Sequence, residues 1–164
     1  GAHGVAGAAA WLALNPVERE DYRRLGCLEA EIGAAGIVRR LVWRIKSGDE
    51  SRVLDMAGGD FAAITVQQIV EAARGGDGVS MSVVRDTVRY IGMAVASLAA
   101  ITDPNIVVLG GLIADAADQF LQPSQAEALR RLPRSIAGSL TVSAATLGED
   151  GGALGAARAA MLDR

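Results

Sequence analysis

Apolar residues recur at three- and four-residue steps after Cys27, which is the spacing of one face of an α-helix. The chain then reads Lys46-Ser47-Gly48, with a basic residue in the last turn and a glycine just beyond it, as is common at helix ends. We therefore predict one helix from about residue 27 to residue 46. The preceding segment, residues 17–25, is highly charged and is expected to be exposed.

Two further helices are predicted in the middle of the chain. Thr65-Val66-Gln67-Gln68 has the pattern of a capping box, in which the first and fourth residues satisfy each other's backbone N–H groups. It predicts a helix that runs to about Arg74. A longer apolar stripe predicts a helix from about Ser80 to Thr102, and Asp103-Pro104 ends it because the residue before a proline avoids the helical region.

The last third of the chain combines strands with helices. Ile106-Val107-Val108-Leu109 is a continuous apolar run that predicts a strand buried on both faces. Apolar and polar residues alternate over residues 139–144 and predict a second strand. Helices are expected over residues 113–121, over residues 123–132 with Pro123 at the first helical position, and over the alanine-rich residues 153–162 after a loop at 148–152.

Composition narrows the class of protein. The chain has 164 residues, of which 51% are hydrophobic, 21% charged and 4% aromatic, and its formal net charge is -3. This much apolar surface excludes a disordered chain, and a single cysteine, Cys27, excludes a disulfide-rich scaffold. The mildly acidic net charge does not favour a nucleic-acid-binding module, which is expected to carry an excess of basic residues. With no transmembrane span or signal peptide visible and a free cysteine, we expect one globular domain in the cytoplasm.

Few residues in the chain offer catalytic or metal-binding chemistry. His3 and Cys27 provide at most two good metal ligands, and the sequence has neither a G-x-S-x-G nucleophile elbow nor a Walker A motif. Gly110-Gly111 follows a predicted strand and either forms a tight turn or lets the backbone approach a flat ligand. Glu29, near the start of a helix, is either a charge that the helix dipole favours or an acceptor for sugar hydroxyls.

Four segments, in the same order, resemble the C-terminal part of the ROK family (repressors, open reading frames and sugar kinases). The family's G-x-x-G-x-A-G-E-I-G-H is similar to residues 1–11, and its C-x-C-G-x-x-G-C-L-E is similar to residues 20–29. Its N-P-x-x-I-V-L-G-G resembles residues 102–111, and its L-G-x-x-x-G-x-L-G-A-A resembles residues 147–157. The resemblance implies an α/β fold over residues 1–164: the helix-rich C-terminal lobe of the actin/hexokinase-like ATPase fold (ribonuclease H-like), with a short sheet.

Several site residues of the family are changed in this chain. In the family, the Glu and the His of E-I-G-H contact the sugar, and the His also binds zinc, but Ala8 and Trp11 stand at those places here. The three cysteines that complete the family's zinc site correspond to Glu20, Tyr22 and Cys27. Because a structural zinc needs about four ligands, we expect no zinc and no other metal site in this chain.

Other site residues of the family are kept. The resemblance implies that Glu29 binds the sugar and that Gly110 and Gly111 lie against the adenosine of ATP, which is used together with Mg. The family's two phosphate loops and its catalytic aspartate precede the matched region, so we predict no catalytic residue here and no activity of this chain alone. We expect one lobe of a glucokinase-like sugar kinase, completed by an N-terminal lobe and paired as a homodimer.

Two alternatives stay open. In a ROK transcriptional repressor, a similar lobe senses a sugar, while a separate N-terminal helix-turn-helix outside this chain binds DNA. The loss of the Glu and the His also fits a degenerate sugar-binding lobe or a purely structural one. Upstream sequence discriminates between kinase and repressor: a glycine-rich D-x-G-G start with a later aspartate indicates a kinase, and a basic helix-turn-helix indicates a repressor.

Overall fold

The computed structural model describes residues 1–162, and the last two positions of the predicted lobe, 163–164, lie outside the described residues. Within that range the chain forms ten α-helices and two β-strands. In chain order the helices are α1 (Glu20–Leu25), α2 (Cys27–Ile32), α3 (Ala34–Lys46), α4 (Val53–Met56), α5 (Val66–Arg74), α6 (Gly78–Thr102), α7 (Leu112–Asp115), α8 (Ala117–Leu129), α9 (Arg134–Ala137) and α10 (Gly151–Leu162). The strands are β1 (Ile106–Leu109) and β2 (Thr141–Ala144), and 3-10 turns cover Ala9–Trp11, Phe61–Ala63 and Gly148–Asp150.

Helix α6 lies at the centre of the main hydrophobic core. It packs against α8, α5, α3 and α2, and twelve of its 25 residues are buried. The largest fully buried side chains of the core come from α3, α4, α5, α6 and α8: Phe120, Ile37, Leu41, Ile69, Ile91 and Val53. The long helix predicted from the apolar stripe is therefore confirmed, and it begins two residues earlier than expected.

Side-chain caps explain where the central helices begin, and a left-handed residue explains where α6 ends. Asp77 caps α6, since its Oδ1 accepts a hydrogen bond from the Ser80 N–H at 2.8 Å. Asp103 ends α6 in the left-handed conformation, with a φ of 46°. The capping box predicted for α5 is confirmed: the Gln68 N–H donates to Thr65 Oγ1 at 3.3 Å, and the Thr65 N–H donates to Gln68 Oε1 at 2.8 Å. These helix ends follow from local sequence, because each donor and acceptor lies within three residues of its partner.

Gly92 lies where α6 and α8 approach each other closely. A Cβ at this position would come within 2.5 Å of Cβ and Cγ of Glu127 and 3.1 Å from the carbonyl oxygen of Ser124. We expect Gly92→Ala to lower the free energy of unfolding by about 1–2 kcal/mol, because overpacking outweighs the higher helix propensity of alanine. Chemical denaturation followed by far-UV circular dichroism measures the change. Gly155→Ala, at an open position inside α10, is the matched control and should be neutral or stabilising; a stabilising Gly92→Ala would contradict the close approach.

The two strands form a parallel sheet in which Ile106 pairs with Thr141 and Leu109 pairs with Ala144. Both predicted strands are confirmed, but the expectation that the first is buried on two faces is wrong. Ile106 and Val108 are 54% and 56% exposed, whereas Val107 and Leu109 pack on the core. The described part of the chain therefore covers β1 on one face, and the other face presents apolar side chains to solvent.

The helices predicted over residues 27–46, 113–121 and 123–132 differ from the observed ones, and α7 and α8 replace the last two with a break at Ala116 and an end at Leu129. The helix expected from residue 27 to residue 46 is two helices, because Gly33 leaves the helical region with a ψ of 157° and becomes the N-cap of α3. Pro123 does not begin a helix but lies inside α8. A proline in a helix interior costs about 3 kcal/mol, and the complete burial of Phe120 before it and of Ala128 after it acts against this cost.

The C-terminal end of the described chain is more exposed to solvent than the rest. The loop expected at residues 148–152 is a 3-10 turn that leads directly into α10, and the predicted final helix is confirmed. Helix α10 contributes no buried residue to the core. No helix within residues 1–162 is long and apolar enough to cross a membrane.

Candidate functional site

Glu29 lies in the first turn of α2, on the side that faces solvent. The opposite side of this helix is buried. The Oε1 atom of Glu29 lies over Gly33, in the space that a β-carbon at that residue would occupy. Within the described range no hydrogen bond or ion pair engages this carboxylate, so both of its oxygens can accept hydrogen bonds from a ligand.

Gly110 and Gly111 form an exposed turn between β1 and α7. Gly111 has a φ of 60° and a ψ of -147°, a conformation that is essentially restricted to glycine. A β-carbon at Gly111 would meet open space, and one at Gly110 would only touch Ala145 at 3.8 Å. The backbone is therefore accessible at the carboxyl end of a parallel strand, which is where α/β sheets commonly bind ligands. Its role in binding adenosine remains a prediction.

The residues at the places of the family's zinc ligands do not form a metal site. Trp11 and Glu20 are exposed, whereas Tyr22 and Cys27 are buried and pack against each other in a small cluster with Ala30. Across residues 1–162 no group of three or more His, Cys, Asp or Glu side chains is arranged to hold a metal ion. The residues present therefore do not fit zinc, since one thiol cannot supply the four ligands of a structural site.

A buried carboxylate that the sequence did not single out lies two residues after Glu29. Glu31 is 2% exposed, although acidic side chains are rarely buried without a partner. Three side chains donate to it: Arg19 Nη1 to Oε1 at 3.0 Å, Arg40 Nη1 to Oε2 at 2.6 Å, and the Tyr22 hydroxyl to Oε1. We call these four residues, Arg19, Tyr22, Glu31 and Arg40, the Glu31 cluster.

The Glu31 cluster connects four parts of the chain. Arg19 belongs to the segment before α1, Tyr22 to α1, Glu31 to α2 and Arg40 to α3. Arg40 Nη2 also donates to Thr87 Oγ1 of α6 at 2.6 Å. Neither Glu29 nor the Gly110-Gly111 turn has a hydrogen bond to this cluster. The expectation that residues 17–25 are exposed is therefore wrong for Tyr22, because its ring is buried and its hydroxyl is bound.

Tyr22 is strongly held in its neutral form. Burial raises the pKa of the phenol, and the hydrogen bond to Glu31 and the negative charge of that carboxylate raise it further. The Tyr22 oxygen also accepts a hydrogen bond from Asn15 Nδ2 at 3.1 Å, and the same amide nitrogen donates to the Tyr90 hydroxyl at 3.0 Å. Because the phenol already has a donor and an acceptor as neighbours, it is committed to the protein's own hydrogen bonds.

The two larger of the cavities beside the Glu31 cluster differ in their lining. One, of about 480 Å³, lies between the segment before α1 and helix α6, and Glu31 and Tyr90 are among its lining residues. The other, of about 360 Å³, is lined by Arg19, Arg39, Arg40 and Trp43. The indole of Trp43 is 67% exposed, and that of Trp11 is 55% exposed. The arginines of the second cavity already pair with Asp21 and Glu31, so they are not available as an open anion site.

The profile of the ROK family matches residues 1–162. The chain belongs to the ROK family. This ROK chain is 33% identical over 133 residues to a glucokinase from Halalkalibacterium halodurans, a match that covers 80% of the chain and 40% of that protein. It is 30% identical over 125 residues to the DNA-binding transcriptional dual regulator NagC of Escherichia coli, covering 76% of the chain and 29% of NagC.

Solved structures of ROK proteins share the fold of this chain. A ROK family glucokinase from Streptomyces griseus in complex with glucose and AMPPNP matches with a TM-score of 0.68 and 30% identity, over 81% of this chain and 44% of that one. ROK hexokinase from Thermus thermophilus matches with a TM-score of 0.71 and 24% identity, over 97% of this chain and 49% of that one. The predicted actin/hexokinase-like fold, helix-rich with a short sheet, is confirmed. The ROK chain spans less than half the length of these relatives.

Proposed function

We propose that the chain is the C-terminal lobe of a sugar kinase that transfers a phosphoryl group from Mg-ATP to a sugar. The observation that carries the proposal is the similarity, at 30% identity, to a ROK glucokinase that was solved with both glucose and AMPPNP. Glucokinases are also among the curated relatives at 33% and 34% identity. An N-terminal lobe, a homodimer and a cytoplasmic location remain predictions of the same hypothesis.

In this hypothesis the residues of the chain bind the two substrates rather than carry out the chemistry. Glu29 accepts hydrogen bonds from sugar hydroxyls, because its carboxylate is exposed and has no protein donor within the described residues. The turn at Gly110 and Gly111 lies against the adenosine, because no side chain there prevents close approach. Magnesium would neutralise charge on the phosphates. The base that takes the proton of the attacking hydroxyl and the phosphate loops belong to the upstream lobe, and phosphoryl transfer needs these to be positioned accurately.

A repressor is the second candidate, and the similarity to NagC favours it. The same lobe would then bind a sugar as a signal, and an upstream helix-turn-helix would bind DNA. The two candidates make the same use of Glu29. They differ in whether ATP is consumed when the sugar binds.

The protein with its upstream lobe should consume ATP in a sugar-dependent way, and the 164-residue chain alone should not. A panel of hexoses, amino sugars and their derivatives is assayed by coupled detection of ADP, with the isolated chain as control. Sugar binding by calorimetry in the same samples separates the candidates. Sugar binding without ATP use would overturn the kinase and support the sensor, and neither sugar binding nor ATP use would contradict both and leave the structural lobe.

A further inference from the structure

We propose that the Glu31 cluster is a metal-free clamp that positions Glu29 for the sugar, which makes Glu31 and Tyr22 positioning residues of the site. The inference rests on the sugar-binding role proposed above for Glu29. It assigns a function to a buried ionic cluster that the phosphoryl transfer itself does not use.

Helix α2 needs such a clamp because it is short. It contains six residues, and helices of fewer than about 12 residues are marginal in water without tertiary contacts. A glycine bounds it on each side, Gly26 before its first residue and Gly33 after its last. Its orientation is therefore set by what holds its buried side, and so is the direction in which Glu29 projects.

The helix places Glu29 and Glu31 on opposite sides. Two positions along an α-helix correspond to a rotation of about 200°. Glu29 is exposed and Glu31 is 2% exposed, as this rotation requires. A displacement of the buried carboxylate therefore moves the exposed one, because only about half a turn of helix joins them.

Three donors reach Glu31 from three different elements. Arg40 comes from α3, Tyr22 from α1 and Arg19 from the segment before α1. Arg40 Nη1 also donates to the backbone carbonyl of Glu31, at 2.5 Å, so it holds both the side chain and the main chain. Charge-assisted hydrogen bonds of this kind are directional, and three of them from different directions fix the position of the helix end.

Tyr22 of the cluster and the neighbouring Cys27 stand at two of the positions where the resemblance has zinc ligands. Tyr22 stands where the resemblance has a cysteine, and its hydroxyl donates to Glu31 instead of binding a metal. Cys27, at another of these places, is buried beside the Tyr22 ring. The same segment is thus joined to α2 by protein side chains, so a zinc-selective chelator is expected to leave the site intact.

The test compares three variants in the protein with its upstream lobe. Tyr22→Phe keeps the ring that packs against Cys27 and removes one donor to Glu31. Glu31→Gln removes the charge. Glu18→Gln is the matched control, since Glu18 pairs with Arg23 on the exposed surface of the same segment, where the two side chains are 82% and 74% exposed.

We expect Tyr22→Phe to raise the sugar KM by about tenfold, which corresponds to Glu29 being correctly placed in about one tenth of the molecules before the sugar binds. Both kcat and the ATP KM should change by less than about threefold, because the chemistry and the nucleotide contacts are untouched. Glu31→Gln should shift the same constant further in the same direction. Glu18→Gln and treatment with a zinc-selective chelator should leave all constants unchanged. An unchanged sugar KM in Tyr22→Phe, or a loss of activity with the chelator, would overturn the proposal.

Amide hydrogen exchange of the chain provides a readout that does not depend on activity. In Tyr22→Phe the amides of α2 should exchange at least about tenfold faster than in the parent chain, while those of α5 and α6 stay protected. Faster exchange in all helices alike would show that the cluster only stabilises the whole fold, and would contradict the proposal. If the parent protein does not use sugar, the proposed function fails, but hydrogen exchange still tests whether the Glu31 cluster holds α2 in place. Because Glu31→Gln leaves the largely buried Arg40 without a carboxylate partner and can prevent folding, Tyr22→Phe decides the outcome.

Discussion

Replacement of Gly26 by alanine is expected to lower the free energy of unfolding by about 3 kcal/mol or more, the sum of backbone strain and steric overlap. Gly26 joins α1 to α2 with a φ of 89° and a ψ of 148°, a region that residues with a β-carbon rarely adopt. A β-carbon would overlap the carbonyl group of Ala10 and lie 3.0 Å from the Trp11 N–H nitrogen. Both obstacles are main-chain atoms, which cannot move aside as the end of a flexible side chain does.

A second glycine with a positive φ, at the end of α5, serves as the reference for backbone strain without overlap. Gly76 has a φ of 85°, nearly that of Gly26, but a β-carbon there would meet no atom within 4 Å. Gly76→Ala should therefore lower the free energy of unfolding only by the strain, about 1–2 kcal/mol. Urea denaturation followed by far-UV circular dichroism measures both variants. Equal effects of the two substitutions would show that the turn of Ala9–Trp11 does not pack against Gly26 as described.

Glu29→Gln should weaken sugar use by about ten- to a hundredfold, because hydrogen bonds to a charged acceptor contribute about 1.5–3 kcal/mol. The amide keeps the shape of the side chain and removes its charge. The effect should appear in kcat/KM for the sugar, whereas the KM for ATP should hardly change. The measurement is the coupled ADP assay on the protein with its upstream lobe.

The control for this substitution is Glu71→Gln, on the exposed surface of α5, which should leave both substrates unaffected. Equal sugar use by the Glu29→Gln and parent proteins would remove Glu29 from the sugar site without excluding a kinase. A parallel loss of ATP affinity would instead indicate a general disturbance of the lobe.

Local sequence was sufficient for features whose partners lie close in the chain. The capping box at Thr65 and Gln68 and the end of α6 at Asp103 depend on contacts within a few residues, and both were predicted. The resemblance of four short segments was sufficient for the family. Its implications for Glu29 and for Gly110 and Gly111 remain predictions, because the binding roles depend on ligands.

Features that depend on packing between distant segments were not predictable in the same way. The α6–α8 contact keeps Pro123 inside a helix, although the local preference of proline favours a helix start. The continuous apolar run of β1 does not show whether one face or both faces of the strand are buried, because the same residues occur in either case. The burial of Glu31 could not be predicted from local sequence, because its partners Arg19 and Arg40 lie twelve and nine positions away.

The exposure of the two tryptophans determines what their fluorescence can report. Trp11 and Trp43 are the only tryptophans of the chain, and both indoles are already more than half in contact with water in the folded state. Global unfolding therefore exposes less additional tryptophan surface than it would for buried residues, and the accompanying change in intrinsic emission is expected to be small. The same exposure makes the emission sensitive to any molecule that covers either indole. A blue shift after a ligand or partner is added would therefore indicate contact at the turn of Ala9–Trp11 or beside the cavity that Trp43 lines with three arginines.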